Sequence, residues 1–393
     1  MSDVAVVVLN LNGRHLLDDC LTSLEKLTVP ADVVVADNGS TDDSVAYLRP
    51  RFPQVRVLEL GRNLGFAAGY NRALAEVACP WVALLNNDAV LEPGWIEHLL
   101  AFAAHEPRAA ILGGKLLFSE PVRRRPEESE RPNGETPARR SRPARREAAR
   151  ARQAGQALSS AQGGNARSTR TVQSAGASFT EAGTAFEIGW GQADAGQYDR
   201  PARVGAIPGA AMLIRRNVFL DLGGFAADYH AYLEDVDLCW RAWLTGREVH
   251  YVPKAVAFHR YGSSGGGRAS PFRIKWMQRN RLANMIKNLE RGTLPKALGI
   301  SLAYDVYRML EFAARGQFGA LRALAAGSLA FRRDLRLILA QRTRVQMGRS
   351  ISDRALRDAG LLAPALTAFR EYRRSSRVTL PQGKEHVIGD TDQ

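Results

Sequence analysis

The run Pro80-Trp81-Val82-Ala83-Leu84-Leu85, halted by Asn86-Asn87-Asp88, decides how the rest of the chain reads. An apolar run of this length suits a strand buried on both faces, as in a parallel sheet. Such sheets bind ligands outside the carboxyl ends of their strands. A carboxylate flanked by amides at that edge can hold a hard divalent cation, and the cation can hold a diphosphate. The same triplet also makes a good turn, so its neighbours must decide between the two readings.

Working outward, Val4 to Leu9 is a β-branched apolar run closed by Asn10, and Val33 to Ala36 is another, closed by Asp37-Asn38-Gly39-Ser40. Between them, Leu16, Leu17, Cys20, Leu21 and Leu24 fall on one helical stripe within His15 to Leu27. A third strand, Val55 to Leu60, precedes Gly61-Arg62-Asn63-Leu64-Gly65, and Ala67 to Val77 has helical spacing. Strands alternating with helices of this length predict an α/β fold with a parallel sheet. Polar residues recur just after the strand ends, where such folds bind ligands.

Hydrophobic residues make up 45% of the 393, enough for an ordinary core, and the formal charge is +14. That balance points to anionic company: nucleic acid, an anionic membrane surface or phosphorylated substrates. Roughly half of the excess lies between 121 and 170, an Arg-, Pro- and Glu-rich stretch with almost no large apolar residues. Such a segment cannot bury enough surface to offset its ordering entropy, which predicts a disordered insertion. It reads as a solvated loop or as a contact for nucleic acid or membrane, but no aromatics interleave its arginines as base stacking requires. Nucleic acid is therefore not an expected partner.

The three cysteines, Cys20, Cys79 and Cys239, have no paired spacing, which predicts neither a disulfide framework nor a zinc site and fits a cytoplasmic setting. No signal segment follows Met1, and no apolar stretch approaches the ~18 residues that a membrane span needs. From about 270 to 343 the pattern is helical and basic, with Leu298, Leu302, Met309, Leu310 and Phe312 supplying apolar faces. These helices suit either an anionic membrane surface or a cap on the domain. A disordered tail is expected from 376 to 393.

A second acidic cluster, Glu234-Asp235-Val236-Asp237, opens a run with helical apolar spacing at Val236, Trp240, Trp243 and Leu244. Carboxylates are favoured at a helix N-terminus by its dipole, but three acids exceed what a cap requires. Further on, Val256-Ala257-Phe258 ends in His259, ahead of a glycine-rich stretch from Gly262 to Gly267. Paired with Asp88, this histidine is a candidate ligand for a Mn²⁺-like ion. Small residues at Gly205 to Ala211 allow a backbone to approach a ligand before the strand that follows.

With these residues in view the chain resembles the family 2 glycosyltransferases, and among them the bacterial rhamnosyltransferase-like members. The matching stretches are Val6-Val7-Val8-Leu9-Asn10, Val35 to Asp42, Asn63 to Asn71, Leu85-Asn86-Asn87-Asp88, the strand after Gly209, and Glu234 to Leu238 with His259. The resemblance implies a GT-A fold, with residues 1–120 as the nucleotide-sugar half and 171–268 as the acceptor half. A helical region at 269–375 follows. It implies that Leu9, Asn10, Asp37, Asn63, Gly65, Asn71, Asn86 and Asn87 form the donor site, with Asp37 toward the base or ribose. Asp88 and His259 would hold Mn²⁺ or Mg²⁺. Asp235 would be the catalytic base, with Glu234 beside it. Asn86 stands where the family places an acid, which lowers the local negative charge and relaxes the demand for metal.

The implied activity is inverting transfer of a sugar, rhamnose being favoured, from a nucleotide-diphosphate donor. The acceptor would be a cell-surface or polyprenyl-linked glycan, reached by a peripheral enzyme at the inner face of the cell membrane. A protein that binds nucleotide sugar or glycan without turnover is the competing expectation.

Overall fold

The computed structural model describes residues 2–119, 170–261 and 270–375, with side chains placed as far as 372. The expected insertion at 121–170 lies outside these residues apart from its last position. The glycine-rich stretch at 262–267 and the tail at 376–393 also lie outside them.

The first half alternates strand and helix as the apolar pattern predicts: β1 (Val4–Asn10), α1 (Arg14–Leu24), β2 (Asp32–Asp37), α2 (Ser44–Arg51), β3 (Arg56–Glu59) and α3 (Gly65–Ala75). β4 (Trp81–Asn86) turns through Asn87 and Asp88 into β5 (Ala89–Leu91), and α4 (Trp95–His105) and β6 (Ala109–Phe118) follow. The second half adds β7 (Val172–Ser174), β8 (Ala177–Thr180), β9 (Ala185–Glu187), β10 (Ala202–Arg203) and β11 (Ala211–Arg215). Then come α5 (Arg216–Asp221), α6 (Glu234–Leu244) and the long β12 (Glu248–His259).

The main sheet runs β10-β12-β6-β11-β4-β1-β2-β3. β3, β2, β1 and β4 are mutually parallel, β11 is antiparallel between β4 and β6, and β12 runs parallel to β6. β6 from the first half is thus clasped between two strands of the second. β1 explains the doubly apolar strands. Ala5 and Val7 face one core, and Val4, Val6 and Val8 face the other, as the two-residue period of a strand requires. Each such buried side chain contributes about 1.5–3 kcal/mol, so the strand register is strongly fixed. A small second sheet joins β9 to β8, and β8 to β13 (Leu362–Ala363).

The C-terminal helices are α7 (Pro271–Asn288), α8 (Leu294–Ala314), α9 (Phe318–Arg333), α10 (Leu335–Met347), α11 (Asp353–Asp358) and α12 (Ala365–Ser375). Of the two roles expected for these helices, α7 takes that of a cap on the domain, because Arg279, Arg281 and Lys287 are buried rather than displayed. Lys287 pairs with Asp237 of α6 at 2.7 Å, and Arg279 pairs with Asp228 and Asp334 at 2.5 and 3.0 Å. Arg281 pairs with Asp305. A buried cation costs several kcal/mol unless it is paired, so these aspartates dictate how the helices dock. Among the described residues no helix is long and apolar enough to cross a membrane.

Candidate active site

The strand ends place Asn10, Asp37 and Asn86 along one edge, with Asn10 beside Asp37 and Leu9 beside Asn86 in register. The Asn10 amide donates to Asp37 Oδ1 at 3.2 Å and to Ser40 Oγ at 3.2 Å. Ser40 donates through both its N–H and its hydroxyl to Asp37, at 3.0 and 2.5 Å. Asn87 donates to Asn10 Oδ1 at 2.9 Å, which ties the turn after β4 to the end of β1. Leu9 is half-buried against Gly69 of α3.

Asn38 joins this edge to the loop before α3. It donates to Asn63 Oδ1 and to the Gly65 carbonyl, both at 3.2 Å, and accepts from Leu64 N–H at 2.9 Å. Gly65 has φ +80°, and a Cβ there would sit 2.7 Å from the His230 carbonyl oxygen. Only glycine is comfortable with both constraints. Asn71 is placed differently from its neighbours. Both sides of its amide bind the main chain of Phe225, at 2.8 and 2.9 Å, so it clamps the Gly223-Gly224-Phe225 turn to α3.

Asp88 and His259 meet as the sequence suggests. His259 Nε2 lies 3.1 Å from Asp88 Oδ1, and the Asn86 amide is 3.4 Å from the same nitrogen. Both residues are buried. The other ring nitrogen, Nδ1, faces the side-chain amide of Gln173, whose two terminal atoms lie 2.9 and 3.2 Å away. With the amide oxygen turned to accept from Nδ1–H, Nε2 keeps its lone pair toward Asp88, the arrangement that metal-ligating histidines use. Among the described residues no group of three or more His, Cys, Asp and Glu gathers around a single point. A carboxylate and an imidazole are nevertheless a suitable donor pair for an ion that takes its remaining ligands from a diphosphate and water.

Asp235 enters from α6. The residue before that helix, Leu233, has φ 66°, and Tyr232 and His230 are also left-handed, at 69° and 46°. Asn280 of α7 holds this loop, its amide nitrogen lying 3.0, 2.9 and 2.8 Å from the carbonyls of Tyr229, Ala231 and Tyr232. The loop and α6 together aim Asp235 at Gly209, whose N–H donates to Oδ2 at 2.9 Å, while Val236 N–H donates to Oδ1 at 2.7 Å. Burial raises the Asp235 carboxyl above its ordinary value despite these bonds. Glu234 is pushed well above the carboxylate range by burial and then by the charge of Asp235, and its Oε2 has no hydrogen-bond partner among the described residues. Asp237 behaves oppositely. Burial pushes it up, but the charges of Arg241 and Lys287 outweigh that and hold it at about 2, so it is an anchor between α6 and α7.

Two threads connect the Asp88–His259 pair to Asp235. Asn86 N–H donates to the Ala210 carbonyl at 3.0 Å, one residue from the Gly209 that holds Asp235. On the other side β7 carries Gln173 against His259 and Ser174 against Glu187. Burial, with the charge of Asp235, pushes Glu187 up to about 8, so its carboxyl is mostly protonated at neutral pH. Gln173, Ser174, Glu187 and Asn280 are absent from the expected set. No motif or local spacing in the sequence marks any of them.

Comparison with known proteins identifies the family and the fold. The glycosyl transferase family 2 model matches residues 5–166, and the glycosyl transferase family group 2 model matches residues 165–351. An N-acetylglucosaminyl-diphospho-decaprenol L-rhamnosyltransferase of Mycobacterium tuberculosis is 31% identical over 280 residues, covering 68% of this chain and 79% of its own. A pre-mycofactocin glycosyltransferase of the same organism is 26% identical over 292 residues, covering 70% of this chain and 48% of its own. The crystal structure of GalNAc-T7 with UDP, GalNAc and Mn²⁺ is similar in fold, with a TM-score of 0.51 at 14% identity over 77% of this chain and 51% of that one. The chain belongs to glycosyl transferase family 2 and is of its rhamnosyltransferase-like type, with a GT-A fold.

Proposed function

We propose that this glycosyltransferase moves a sugar, rhamnose in the favoured case, from a nucleoside-diphosphate donor to a hydroxyl of a lipid-linked glycan, with inversion at the anomeric carbon. The observation that carries the reading is the contact path from Asp88–His259 through Asn86 and Ala210 to the Gly209–Asp235 pair. It joins a metal-suited donor pair to a base-suited carboxylate on one sheet edge. The acceptor class is supported by the mycobacterial relative, whose name specifies a sugar on a diphospho-decaprenol.

In this reading Asn10, Asp37, Asn63, Asn86 and Asn87 fix the donor, and Asp88 with His259 holds Mn²⁺ or Mg²⁺. The GalNAc-T7 structure, which contains Mn²⁺, supports the choice of a divalent ion. When bound, the ion neutralises charge on the departing diphosphate. Asp235 accepts the proton of the acceptor hydroxyl while that oxygen bonds to the anomeric carbon and the bond to the diphosphate oxygen breaks. One displacement through an oxocarbenium-like transition state inverts the centre, and no second nucleophile is needed. Asp235 is suited to this work because burial strengthens it as a base, and its two N–H donors fix the direction of its oxygens. A lipid-borne acceptor also implies work at an anionic membrane surface by a peripheral enzyme.

The test is hydrolysis and transfer across a panel of nucleotide sugars, with Mn²⁺, with Mg²⁺ and with chelator. Metal-dependent cleavage of one donor, with transfer to a polyprenyl-diphosphate-sugar giving the opposite anomer, is the expected result. Tight donor binding with no turnover in the presence of that acceptor would overturn it in favour of a binding protein.

A further inference from the structure

Helix α8 buries polar side chains on its inner face beside Ala297 and Phe312, and leaves an apolar stripe outside. Its buried positions include Ser301 at 1% exposure, Asp305 at 9% and Arg308 at 8%, while Leu302 and Leu310 stand 65% exposed. Leu302, Val306, Met309 and Leu310 follow the i, i+4, i+7, i+8 spacing of one helix face, the spacing that normally marks the side turned to a core. The neighbouring α9 continues the surface with Phe318 and Leu329, both more than half exposed. A groove of about 300 Å³ between the two helices is lined by Met309, Leu324, Ala325, Leu329 and Arg332, among others. Soluble surfaces scatter single leucines, whereas a contiguous apolar stripe marks a contact.

The charges around the stripe identify the contact. Between 294 and 347 there are nine lysines and arginines and three acids. All three acids are already paired: Asp305 with Arg281, Glu311 with Arg315 and Asp334 with Arg279. Arg322 and Arg332 have no carboxylate partner among the described residues, and both are exposed on α9. The helix spacing puts them on the Ala325–Leu329 side. The Tyr304–Tyr307 side of α8 is already covered by Phe369 of α12, with ring centroids 5.9 and 4.8 Å apart, so the stripe is what α12 leaves open.

We infer that the α8–α9 face seats on an anionic bilayer surface, its leucines among the acyl chains and its arginines against the headgroup phosphates. This inference rests on the lipid-linked acceptor reading and names the surface that brings the enzyme to it. An apolar stripe without arginines would suit a second copy of the chain equally well, whereas unneutralised arginines beside it repel a copy and attract phosphate.

The test is co-sedimentation of the full chain with vesicles of phosphatidylglycerol and phosphatidylcholine, against phosphatidylcholine alone. Leu302→Gln/Leu310→Gln and Arg322→Gln/Arg332→Gln variants are compared with the wild type. Binding is expected only with the anionic vesicles and is expected to weaken with salt. Each arginine substitution should lower affinity about fivefold, and each leucine substitution about tenfold. All four positions are on the surface, so the variants should melt like the wild type and hydrolyse donor at the same rate without vesicles. Vesicle binding equal in wild type and variants overturns the inference. So does self-association of the wild type that the leucine variant abolishes while vesicle binding is unchanged. Failure of donor turnover in the presence of a polyprenyl-diphosphate-sugar, while vesicle binding behaves as expected, removes the transferase reading and leaves the face standing.

Discussion

Replacing Asp235 by asparagine tests the chemistry with the least disturbance of the fold. The carboxylate accepts from Gly209 N–H at 2.9 Å and from Val236 N–H at 2.7 Å. An asparagine keeps one acceptor and turns its NH₂ against the other donor, which costs about 1–3 kcal/mol. Removal of a charge that burial disfavours offsets part of this. At about 2–4 °C per kcal/mol, the melting temperature should fall by less than roughly 12 °C. The rate is different, because a general base contributes about 10²–10⁴-fold, or about 3–5 kcal/mol of barrier. Single-turnover transfer from a radiolabelled donor should therefore slow by that factor while donor KM stays within about threefold, since Asp235 acts on the acceptor side. The pH profile adds a second readout. The active form is the carboxylate and its pKa is raised, so wild-type activity falls with decreasing pH at a point above the usual aspartate range. The variant should lack that limb. A folded variant within about tenfold of wild-type kcat refutes the assignment. So does an acid limb that persists unchanged, which would move the role to Glu234 or Glu187.

Three further outcomes are expected. Asp237→Asn leaves Arg241 and Lys287 facing a neutral amide and should destabilise the fold by about 3–5 kcal/mol in urea unfolding; a loss under about 1 kcal/mol refutes the anchor role. In the wild type, the folded pKa of about 2 lies below the ordinary 3.8, so Asp237 stabilises the fold above pH 3.8. That contribution, about 2 kcal/mol, disappears as pH falls toward 2, and the variant should lack this part of the acid transition. Gln173→Leu removes the side-chain amide that faces His259 Nδ1 and should weaken Mn²⁺ binding about 10–100-fold by calorimetry in the presence of nucleoside diphosphate, with Gln173→Glu restoring it; unchanged Mn²⁺ affinity in the leucine variant contradicts the positioning role. Gly65→Ala, with φ +80° and a Cβ 2.4 Å from His230 Nδ1, should cost about 1–3 kcal/mol and raise donor KM, and an alanine variant with unaltered melting and KM would show that the loop yields freely.

What the sequence made legible was local. β1, β2 and β4 are buried on both faces, so their apolar runs announce them, and each ends in the polar residue that closes the run. Asp88 was visible just past a strand end and His259 at the end of one, and the structure brings them together. Gln173 and Glu187 were not visible, because their roles arise from contacts with His259 and with the charge of Asp235, both far away in sequence. Asn71 has the right spacing for the donor site yet serves the turn at Phe225, a contact across 154 residues that no local pattern records. The C-terminal helices were legible as helices but not in their orientation. A period of 3.6 shows that a helix has two faces, and in α8 the buried Asp305–Arg281 pair shares the inward face with Ala297 and Phe312 and leaves Leu302 and Leu310 outside.

The anchoring of α6 by α7 also bears on how such a chain can be cut. The segment carrying the base ends in sequence well before Pro271, and a modular view would place a seam there. Yet Asp237 finds Lys287 and Asn288 beyond that seam, and the loop that aims Asp235 hangs from Asn280. A fragment ending near residue 270 would retain every residue proposed to touch substrate and lose the scaffolding that orients one of them. The smallest heritable unit of catalysis is therefore longer than the set of motifs that define the family. Recombination between relatives at that point should yield chains that fold poorly unless both sides come from the same parent.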